Sequence, residues 1–374
     1  MPRKRHITIW TILLFPLTIL YAGVISFRNL MFDWEIVPSK EFGLPVISVG
    51  NITVGGTGKT PHVEYLVELL KDEFQVSTLS RGYKRKTKDF RVADNESSVA
   101  QIGDEPRQLK QKYPELIVAV DRKRVNGIDQ LLKLEKNTDV ILLDDAFQHR
   151  HVKPGKSILL VDFNRMIQND FMLPSGRLRE PVSGKDRANI ILVTRSPERM
   201  KPIEMRNIAT NMNLGLHQHL YFTNMNFGEF HPVFHLSQSK DAAWFKEKKS
   251  PVLLLTGIAN PRSLRKYARS ISTQLIEVSF PDHHQFTKKD LQKLTTRYRS
   301  FNNPDALILT TEKDAMRLQG LDPEPDIKQA LYYITIHVQF LNDDHKEFNN
   351  LILDYVRSNK RNNILHQTAG KGNA

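Results

Sequence analysis

Residues 46–60 read Val-Ile-Ser-Val-Gly-Asn-Ile-Thr-Val-Gly-Gly-Thr-Gly-Lys-Thr. The apolar, β-branched run at 46–49 predicts a buried strand, and the apolar spacing at 63–70 predicts a helix. A glycine-rich turn joins the two and ends in Lys59 and Thr60. A strand, such a turn and a helix typically bind phosphate, because backbone N–H groups and the helix N-terminus surround the phosphate oxygens. The stretch therefore predicts an α/β fold that binds a nucleotide.

Each part of this loop has a predicted role. Its glycines let the backbone curl around the phosphates, Lys59 reaches the β- and γ-phosphates of ATP, and Thr60 offers its hydroxyl to Mg²⁺. The loop departs from the strict pattern once, because Thr53 stands where the first glycine is usual. The predicted nucleotide-binding residues are Thr53, Val54, Gly55, Gly56, Thr57, Gly58, Lys59 and Thr60.

Beyond the loop, short apolar runs alternate with helical patterns, which is typical of a parallel sheet with helices on both faces. A first series of predicted strands lies at 46–49, 76–79, 116–120, 140–143, 158–161 and 190–193. A second, shorter series lies at 252–256, 275–279 and 306–310. Two extended stretches, 220–234 and 332–340, flank the second series, and we expect them to pair.

The predicted fold class is therefore α/β, with a P-loop NTPase-like parallel-sheet domain and a smaller second α/β domain joined by a two-stranded linker. We expect a membrane-associated segment at 1–35, the P-loop domain at 36–220, the linker strands with the second domain at 221–341, and a C-terminal helix and tail at 342–374. In this last part a helix is predicted at 349–356 and a frayed tail from Asn359.

The composition limits the classes of function. The chain has 374 residues and a formal net charge of +13, which attracts nucleic acid, an anionic bilayer surface or a phosphorylated substrate. It contains no cysteine, so disulfide bonds, thiolate metal sites and thiol nucleophiles are excluded. No recognised nucleic-acid-binding motif accompanies the charge, and we expect no nucleic-acid partner.

The N-terminus predicts an attachment to a membrane. Residues 3–5 are basic and precede an apolar run at 7–27. The run could span a bilayer, which takes about 20 residues, lie in the interface with Trp10, Tyr21 and Trp34 as anchors, or pack as a core helix. A signal peptide is disfavoured because no small-residue cleavage site follows. A single span behind basic residues would place the rest of the chain outside, away from cytosolic ATP, so we expect a monotopic or re-entrant anchor.

A second motif, Leu143-Asp-Asp-Ala-Phe-Gln-His149, follows the apolar run at 140–143. An acid at a strand end beside a phosphate loop holds Mg²⁺ or its waters, and two adjacent carboxylates repel each other unless a cation lies near. We therefore predict Asp144 and Asp145 as metal-side acids, with solvated loop acids as the alternative.

Two short motifs carry little information by themselves. Gly103-Asp-Glu-Pro106 could supply only helix N-terminal charges, and His283 and His284 lie in a loop before a capped helix. Loop histidines are more often structural or solvated than catalytic, and no third metal ligand lies near them in the sequence.

Clusters of arginine and lysine follow several predicted strands, at 80–88, 122–124 and 173–181. Ligands of open α/β sheets gather at the carboxyl ends of the strands. These cations are therefore candidates for phosphate contacts as well as for a solvated charged face.

In combination, the motifs resemble those of the tetraacyldisaccharide 4′-kinase family, the lipid A kinases of Gram-negative bacteria. The stretches that carry the resemblance occur in one order over nearly the whole chain. They are VGNITVGGTGKTP (49–61), LSRGY (79–83), GDEP (103–106), DDAFQH (144–149), LREP (178–181), DHH (282–284) and TEKDA (311–315).

The resemblance implies an acceptor and the residues that act on it. The acceptor would be the 4′-hydroxyl of a tetraacylated glucosamine disaccharide 1-phosphate, phosphorylated by ATP with Mg²⁺ to give lipid IV-A in lipid A biosynthesis. Asp104 and His283 would form a catalytic dyad beside Lys59, and Glu105 would join Thr60 and the acid pair on the metal side. The positions implied as substrate-binding are Arg122 or Arg124, His149, Arg179 and Glu180.

The resemblance also implies the partners: a lipid substrate and the cytoplasmic face of the inner membrane, with peripheral or monotopic attachment and no required protein partner. Two other classes compete with it. A partitioning-type switch ATPase has a similar loop but carries a signature lysine where this chain has Val54. A nucleic-acid-dependent NTPase would suit the positive charge but lacks a supporting motif.

Overall fold

The computed structural model describes residues 8–134, 137–234 and 238–371. The basic residues 3–5 lie outside the described residues. The strands within the described ranges are β1 (Val46–Gly50), β2 (Val76–Ser80), β3 (Arg91–Val92), β4 (Ile117–Val120), β5 (Val140–Asp144), β6 (Lys156–Asp162), β7 (Ile190–Thr194), β8 (His219–Pro232), β9 (Val252–Thr256), β10 (Leu275–Ser279), β11 (Leu307–Thr311) and β12 (Leu331–Phe340).

The same ranges contain α-helices and three short 3₁₀ turns, the latter at Phe163–Arg165, Ile167–Asn169 and Val182–Arg187. The α-helices are α1 (Ile9–Leu13), α2 (Phe15–Asp33), α3 (Lys59–Leu70), α4 (Val99–Ile102), α5 (Asp104–Lys112), α6 (Arg124–Leu131), α7 (Pro202–Met212), α8 (Ala242–Lys248), α9 (Arg262–Ile271), α10 (Lys288–Arg299), α11 (Glu312–Leu318), α12 (Pro325–Ala330) and α13 (His345–Lys371).

All described strands join in one sheet, in the order β10-β9-β11-β12-β8-β7-β6-β1-β5-β2-β4-β3. On one side of β8 the strands run parallel, apart from the short antiparallel edge strand β3. On the other side β9–β12 are also parallel, and β8 pairs parallel with β7 but antiparallel with β12. We call residues 36–218 the N-terminal lobe, residues 233–330 the C-terminal lobe, and β8 and β12 the connecting strands.

The predicted fold class is confirmed, including the pairing of the two extended stretches as β8 and β12. The short edge strand β3 was not predicted; the ends of the other observed strands lie within two residues of the predicted limits. Buried parallel strands read as continuous apolar runs, which makes their limits visible in the sequence. The expectation of a frayed tail from Asn359 is wrong, because α13 continues to Lys371.

The C-terminal helix returns to the N-terminal lobe. Phe348, Ile352 and Val356 of α13 are at most 1% exposed and belong to the same core as Ile47 of β1. A helix anchored in this way by its first turns extends at little further cost, because nucleation is the unfavourable step. The long α13 follows from this anchoring.

An apolar face fixes α3 against the sheet. Val63, Leu66, Val67 and Leu70 are each at most 1% exposed. Each such side chain stabilises the fold by about 1.5–3 kcal/mol relative to an exposed one. The first turn of α3 is therefore held beside the carboxyl end of β1.

The N-terminal helices leave much apolar surface uncovered. Among the described residues α2 is the one helix that is long and apolar enough to cross a membrane, and 17% of its apolar window is buried in the protein. Exposed apolar side chains along this segment are Ile9, Trp10, Ile12, Leu13, Phe15, Leu17, Ile19, Leu20, Val24, Phe27, Leu30, Trp34 and Ile36. A contiguous surface of this kind marks contact with lipid or with another protein.

Candidate active site

The glycine-rich loop runs from β1 into α3 and is held by neighbouring side chains. Gly58 precedes α3 with a φ of +87°, which glycine adopts without strain. A Cβ at Gly58 would lie 2.0 Å from Met225 Cε of β8. Asn51 Nδ2 donates to the Thr57 hydroxyl at 3.0 Å, and Thr194 Oγ1 donates to the Thr57 carbonyl at 2.9 Å. The loop is therefore fixed from several sides.

The departure at Thr53 has a local explanation. Thr53 forms a β-bridge with Leu178, and the N–H of Val54 donates to the carbonyl of Arg177 at 2.8 Å. A bridge is an extended pairing, which a β-branched residue accommodates without the freedom of glycine. The loop thus begins as a paired segment beside residues 177–179.

His62 joins the loop to the connecting strand β8. Its Nδ1 lies 2.8 Å from the Gly58 carbonyl, and its Nε2 lies 3.0 Å from the Thr223 hydroxyl. Burial lowers the pKa of His62 to about 4, so the ring is neutral. Since a carbonyl only accepts, Nδ1 carries the proton and Nε2 accepts from Thr223.

The acid pair lies at the end of β5, beside the loop. Asp145 is exposed, has a φ of +48°, and lies 3.3 Å from Lys59 Nζ. Asp144 is buried, and its Oδ1 has no hydrogen-bond partner among the described residues. Burial, and then the charge of Asp145, raise the pKa of Asp144 to about 7. A nearby cation would relieve both effects.

Of the two candidate arginines, Arg124 lies at the acid pair and Arg122 is exposed. The guanidinium of Arg124 donates to the Asp144 carbonyl at 3.1 Å and to the Asp121 carbonyl at 2.6 Å. Burial lowers the pKa of Arg124 to about 10, so it remains a cation at neutral pH. Arg124 therefore holds the backbone of the acid pair through the Asp144 carbonyl.

The predicted substrate-binding residues His149, Arg179 and Glu180 lie on the same side of the lobe. His149 lines an open cavity of about 870 Å³, and burial, then Arg124, lower its pKa to about 4. The N–H of Arg179 donates to a loop carbonyl, that of Ile52, at 2.8 Å. Glu180 is 1% exposed and pairs through Oε2 with Arg187 at 2.6 Å. Arg179 is thereby joined to the phosphate loop, and Glu180 to Arg187.

The sequence reasoning missed a group of arginines at the mouth of the phosphate loop. Burial, then Arg177, lower the pKa of Arg165; Arg195 and Arg262 contribute in the same direction, and Asp162, which pairs with Arg195 at 2.7 Å, partly offsets them. Such mutual repulsion of cations favours an anionic ligand. Arg177 belongs to the basic cluster at 173–181. Arg165, Arg195 and Arg262 lie outside the clusters described above, and no motif around them predicts a role in phosphate binding.

At the junction of the lobes, Asp104 of α5 meets His283 of the C-terminal lobe. His283 Nδ1 lies 2.9 Å from Asp104 Oδ2, and Arg317 contacts the same oxygen. Burial acts to raise the pKa of Asp104, but the hydrogen bonds from His283 and Arg317 outweigh it and hold the pKa below its ordinary value. Tyr83 packs on the His283 ring, with centroids 5.1 Å apart. Asp104 is therefore an ionised, partly enclosed acceptor.

The predicted metal-side acid Glu105 is paired across the junction, with its Oε1 2.6 Å from Lys313 Nζ. Its charge also raises the pKa of Asp144, so the junction and the acid pair share one electrostatic environment. Within the described residues, no three His, Asp or Glu side chains converge as a preformed metal cage. Mg²⁺ is usually held by one or two carboxylates together with substrate phosphates and water, which fits Thr60 and the Asp144–Asp145 pair.

The N-terminal helices contact the same side of the lobe. Thr18 Oγ1 accepts from the N–H of Ser175 at 3.0 Å, and the Tyr21 hydroxyl donates to the Arg179 carbonyl at 3.1 Å. Arg28 donates to the Gln148 carbonyl at 3.2 Å. The apolar segment is thus docked on the loops that carry His149 and Arg179.

Comparison with known proteins agrees with this arrangement. The sequence model of a family described as tetraacyldisaccharide-1-P 4′-kinase matches residues 10–357. The tetraacyldisaccharide 4′-kinase of Phocaeicola vulgatus is 46% identical, over 93% of this chain and 96% of its own. That of Bacteroides thetaiotaomicron is 43% identical, over 95% of each chain.

A solved structure is also similar. It is described as an "apo" form of LpxK from Aquifex aeolicus in complex with ATP, and it superposes with a TM-score of 0.70 at 28% identity. The match covers 92% of this chain and 99% of that one, so it includes both lobes. This chain therefore belongs to the tetraacyldisaccharide-1-P 4′-kinase family, the kinases that phosphorylate the 4′ position in lipid A biosynthesis.

Proposed function

We propose that this chain transfers the γ-phosphate of ATP to the 4′-hydroxyl of a tetraacylated glucosamine disaccharide 1-phosphate, giving lipid IV-A, with residues from both lobes. The observation that carries the proposal is the 2.9 Å contact between Asp104 and His283. This pair is electrostatically linked, through Glu105, to the acid pair beside the phosphate loop. A kinase needs its proton acceptor and its phosphate loop in one site.

The phosphate loop binds the nucleotide. Backbone N–H groups of residues 55–58 and the N-terminus of α3 face the phosphates, and Lys59 contacts the β- and γ-phosphates. The repelling arginines around Arg165 add positive charge at the mouth of the loop. Their positions suit the stabilisation of charge on the transferring group.

Thr60, Asp144 and Asp145 hold the Mg²⁺ that accompanies ATP, and the unpartnered Oδ1 of the buried Asp144 supports this assignment. When bound, the ion neutralises charge on the phosphates. Arg124 fixes the backbone of the acid pair through the Asp144 carbonyl. Glu105 is a further acid within electrostatic range of this pair.

Asp104, oriented by His283, accepts the proton of the 4′-hydroxyl as this oxygen bonds in line to the γ-phosphorus. The bond from that phosphorus to the β–γ bridging oxygen breaks, and ADP leaves. We assign these residues to two domains, 36–220 and 221–341, that close on the bound substrates. Since Asp104 and His283 come from different lobes, closure assembles the proton acceptor and excludes water. The transfer requires a proton acceptor beside the phosphate loop, and the closed lobes would place Asp104 there.

The N-terminal segment presents the lipid at the cytoplasmic face of the inner membrane. Its exposed apolar side chains enter the bilayer interface, while Thr18 and Tyr21 keep it docked on the lobe. The cavity beside His149 lies between the loop after β5 and the segment that follows α2. We propose that the disaccharide reaches the γ-phosphate from the side of His149, Arg179 and Glu180.

The test uses the purified full-length protein, γ-labelled ATP and a lipid extract from Gram-negative bacteria. We expect the label to appear in a lipid that carries a new phosphate at the 4′ position. Label released only as inorganic phosphate, or no turnover at all in the presence of the acceptor lipid, would contradict the proposal. Asp104→Asn, which keeps the shape of the side chain and removes its charge, is the matched control, and we expect it to transfer little label.

A further inference from the structure

One short helix of the C-terminal lobe carries two cations that reach α5 across the junction. Lys313 and Arg317 of α11 are four residues apart, so they project from the same face of the helix. Lys313 contacts Glu105, and Arg317 contacts Asp104. The helix therefore touches both carboxylates at the start of α5.

Residues of the C-terminal lobe also bind Arg317, through Nη1, the guanidinium nitrogen that does not contact Asp104. This nitrogen donates to Asp314 Oδ1 at 2.9 Å and to the Gly257 carbonyl at 3.3 Å. Asp314 is fully buried and accepts hydrogen bonds from the N–H of Gly257 and the hydroxyl of Thr311, both at 2.8 Å. The Gly257 carbonyl also accepts from the N–H of His283 at 3.2 Å. One loop thus fixes both Arg317 and His283.

The donors at Asp104 converge on one carboxylate oxygen. His283 Nδ1 and Arg317 Nε lie 2.9 and 3.1 Å from Oδ2, and Arg317 Nη2 contacts the same atom. Among the residues that the structure describes, none donates to Oδ1. The carboxylate is therefore held by one oxygen and presents the other, whose lone pairs suit a substrate hydroxyl.

Two neighbours determine which nitrogen of His283 carries the proton: the ionised Asp104 accepts from Nδ1, and Lys313 donates to Nε2. The Lys313 ammonium lies 3.3 Å from His283 Nε2, and an ammonium only donates. Nε2 is therefore the acceptor, and Nδ1 carries the proton that is donated to Asp104 at 2.9 Å. Arg317 Nη2, 3.2 Å from Nδ1, is then a second donor to Asp104 rather than a partner of the ring.

We propose that Lys313 and Arg317 are positioning residues for the transfer: Lys313 donates to Nε2 of His283 and so keeps Nδ1 as the only protonated ring nitrogen, and Arg317 holds Asp104 Oδ2 so that Oδ1 faces the acceptor hydroxyl. This rests on the proposed role of Asp104 as proton acceptor. Both cations act through the pair and touch neither substrate. Because both belong to the C-terminal lobe, Asp104 is oriented only when the lobes meet, which limits transfer to water.

The tautomer is measured first, by ¹⁵N NMR of the full-length protein labelled at histidine, with His283→Gln to identify the signal. We expect Nδ1 to carry the only ring proton in the wild type, and Nε2 to gain a proton in Lys313→Met, where no ammonium faces it. Lys328→Met is the control, because Lys328 belongs to the same lobe and pairs with Asp322 away from the junction. An unchanged tautomer in Lys313→Met overturns the role of Lys313. This readout does not depend on kinase activity, so it is separate from a failure of the proposed function.

Kinetics test Arg317. In Arg317→Gln we expect kcat to fall about 10²-fold, the effect of roughly an ångström of misplacement, and KM for ATP to change less than about threefold. Arg317→Lys should recover part of the loss, because it keeps the charge but not the fork. Arg299→Gln, which removes a surface arginine paired with Glu324 and Asp326, is the control. A raised KM with unchanged kcat, or wild-type kcat in folded Arg317→Gln, overturns the proposal for Arg317. A wild type that phosphorylates no lipid instead overturns the proposed function.

Discussion

The phosphate loop and the lobe junction are parts of one proposed site, but the chain builds them in different ways. The loop is a continuous stretch, 53–60, between a strand and a helix that belong to one core. At the junction, Asp104 and His283 are 179 residues apart, and Arg317 is 213 residues from Asp104. Local backbone geometry therefore fixes the first part, whereas the packing of two lobes fixes the second, and the proposed closure would assemble only the second.

The two regions also treat the same residue type in opposite ways. Burial and neighbouring acids raise the pKa of Asp144 to about 7, whereas donors from the C-terminal lobe hold the pKa of Asp104 below its ordinary value. An acid whose pKa is raised by burial and by a like charge gains from a bound cation, whereas the donors at Asp104 keep that carboxylate ionised and oriented, at the cost of some basicity. This contrast matches the proposed roles of the two carboxylates.

The largest expected effect is on the loop side. Lys59→Ala removes a cation from the β- and γ-phosphates and leaves the glycines in place, so we expect turnover to fall by about 10²–10³-fold. The melting temperature should change little, because Lys59 Nζ makes one ion pair, with the exposed Asp145. Lys71→Ala, at the other end of α3 and paired with Glu68, is the matched control. Near-normal turnover in folded Lys59→Ala would contradict the assignment of the loop.

The next effect concerns the junction, and its signature is non-additivity. Removing His283 leaves Asp104 misoriented, and removing Asp104 leaves His283 nothing to orient. We therefore expect Asp104→Ala and His283→Ala each to lower turnover about 10²-fold, and the double variant to be no slower than the worse single one. Turnover and melting curves are measured for all three. Losses that multiply would mean that the two residues act separately.

The same contrast explains how much of the site the sequence predicts. Residues 53–60 and the acid pair are visible because each follows an apolar strand, and their spacing alone implies their geometry. The pairing of Asp104 with His283 came only from the family resemblance, since neither residue is marked locally. The contacts of Lys313 and Arg317 form only because α11 packs on α5. This packing depends on how the lobes meet, so the sequence does not predict a role for either residue. Arg124 lies at the acid pair because it is buried against the Asp144 carbonyl, whereas Arg122 is exposed. The spacing of the two arginines in the sequence does not predict this difference.

A buried acid tests the electrostatics of the junction. Lys112 Nζ lies 2.6 Å from Glu64 and 3.8 Å from Glu312 of α11. Burial, and then Glu64, raise the pKa of Glu312 from 4.5 to about 7. The folded protein therefore binds a proton at Glu312 more tightly than the unfolded chain does. The stability from this group is fully present below pH 4.5 and is lost as the pH rises to about 7.

Glu312→Gln removes this dependence, because glutamine is neutral at every pH. We expect the stability of the wild type, relative to this variant, to fall as the pH rises from about 4.5 to about 7. Melting curves over this range measure the difference, and Glu324→Gln, an exposed acid of the same lobe, is the control. A difference that stays constant with pH would contradict the assignment.

A smaller effect, on binding to lipid, is expected at the exposed apolar surface of α2, which packs on the same lobe as the phosphate loop. Leu20 and Val24 of α2 are 66% and 60% exposed and lie one helical turn apart. Leu20→Ser with Val24→Ser should lower binding to anionic lipid vesicles by at least about tenfold, since burying each side chain contributes about 1.5–3 kcal/mol. Leu132→Ser, at an exposed leucine of the N-terminal lobe, is the control. Unchanged binding that high salt abolishes would assign the attachment to basic residues instead.

The smallest expected effect separates two adjacent histidines. His283 has a φ of +61° and reaches across the junction to Asp104, whereas His284 turns back into its own lobe. His284 Nε2 lies 3.0 Å from Asp290 Oδ2, and its ring stacks on Phe280 with centroids 4.4 Å apart. His284→Ala should therefore lower stability by about 1 kcal/mol and keep turnover within about twofold of the wild type. His283→Ala should show the reverse, with a large loss of turnover and a small change in melting temperature. If both variants lose turnover equally, the fold of the loop controls catalysis rather than the contact of His283 with Asp104, and the contrast between loop and junction would no longer hold.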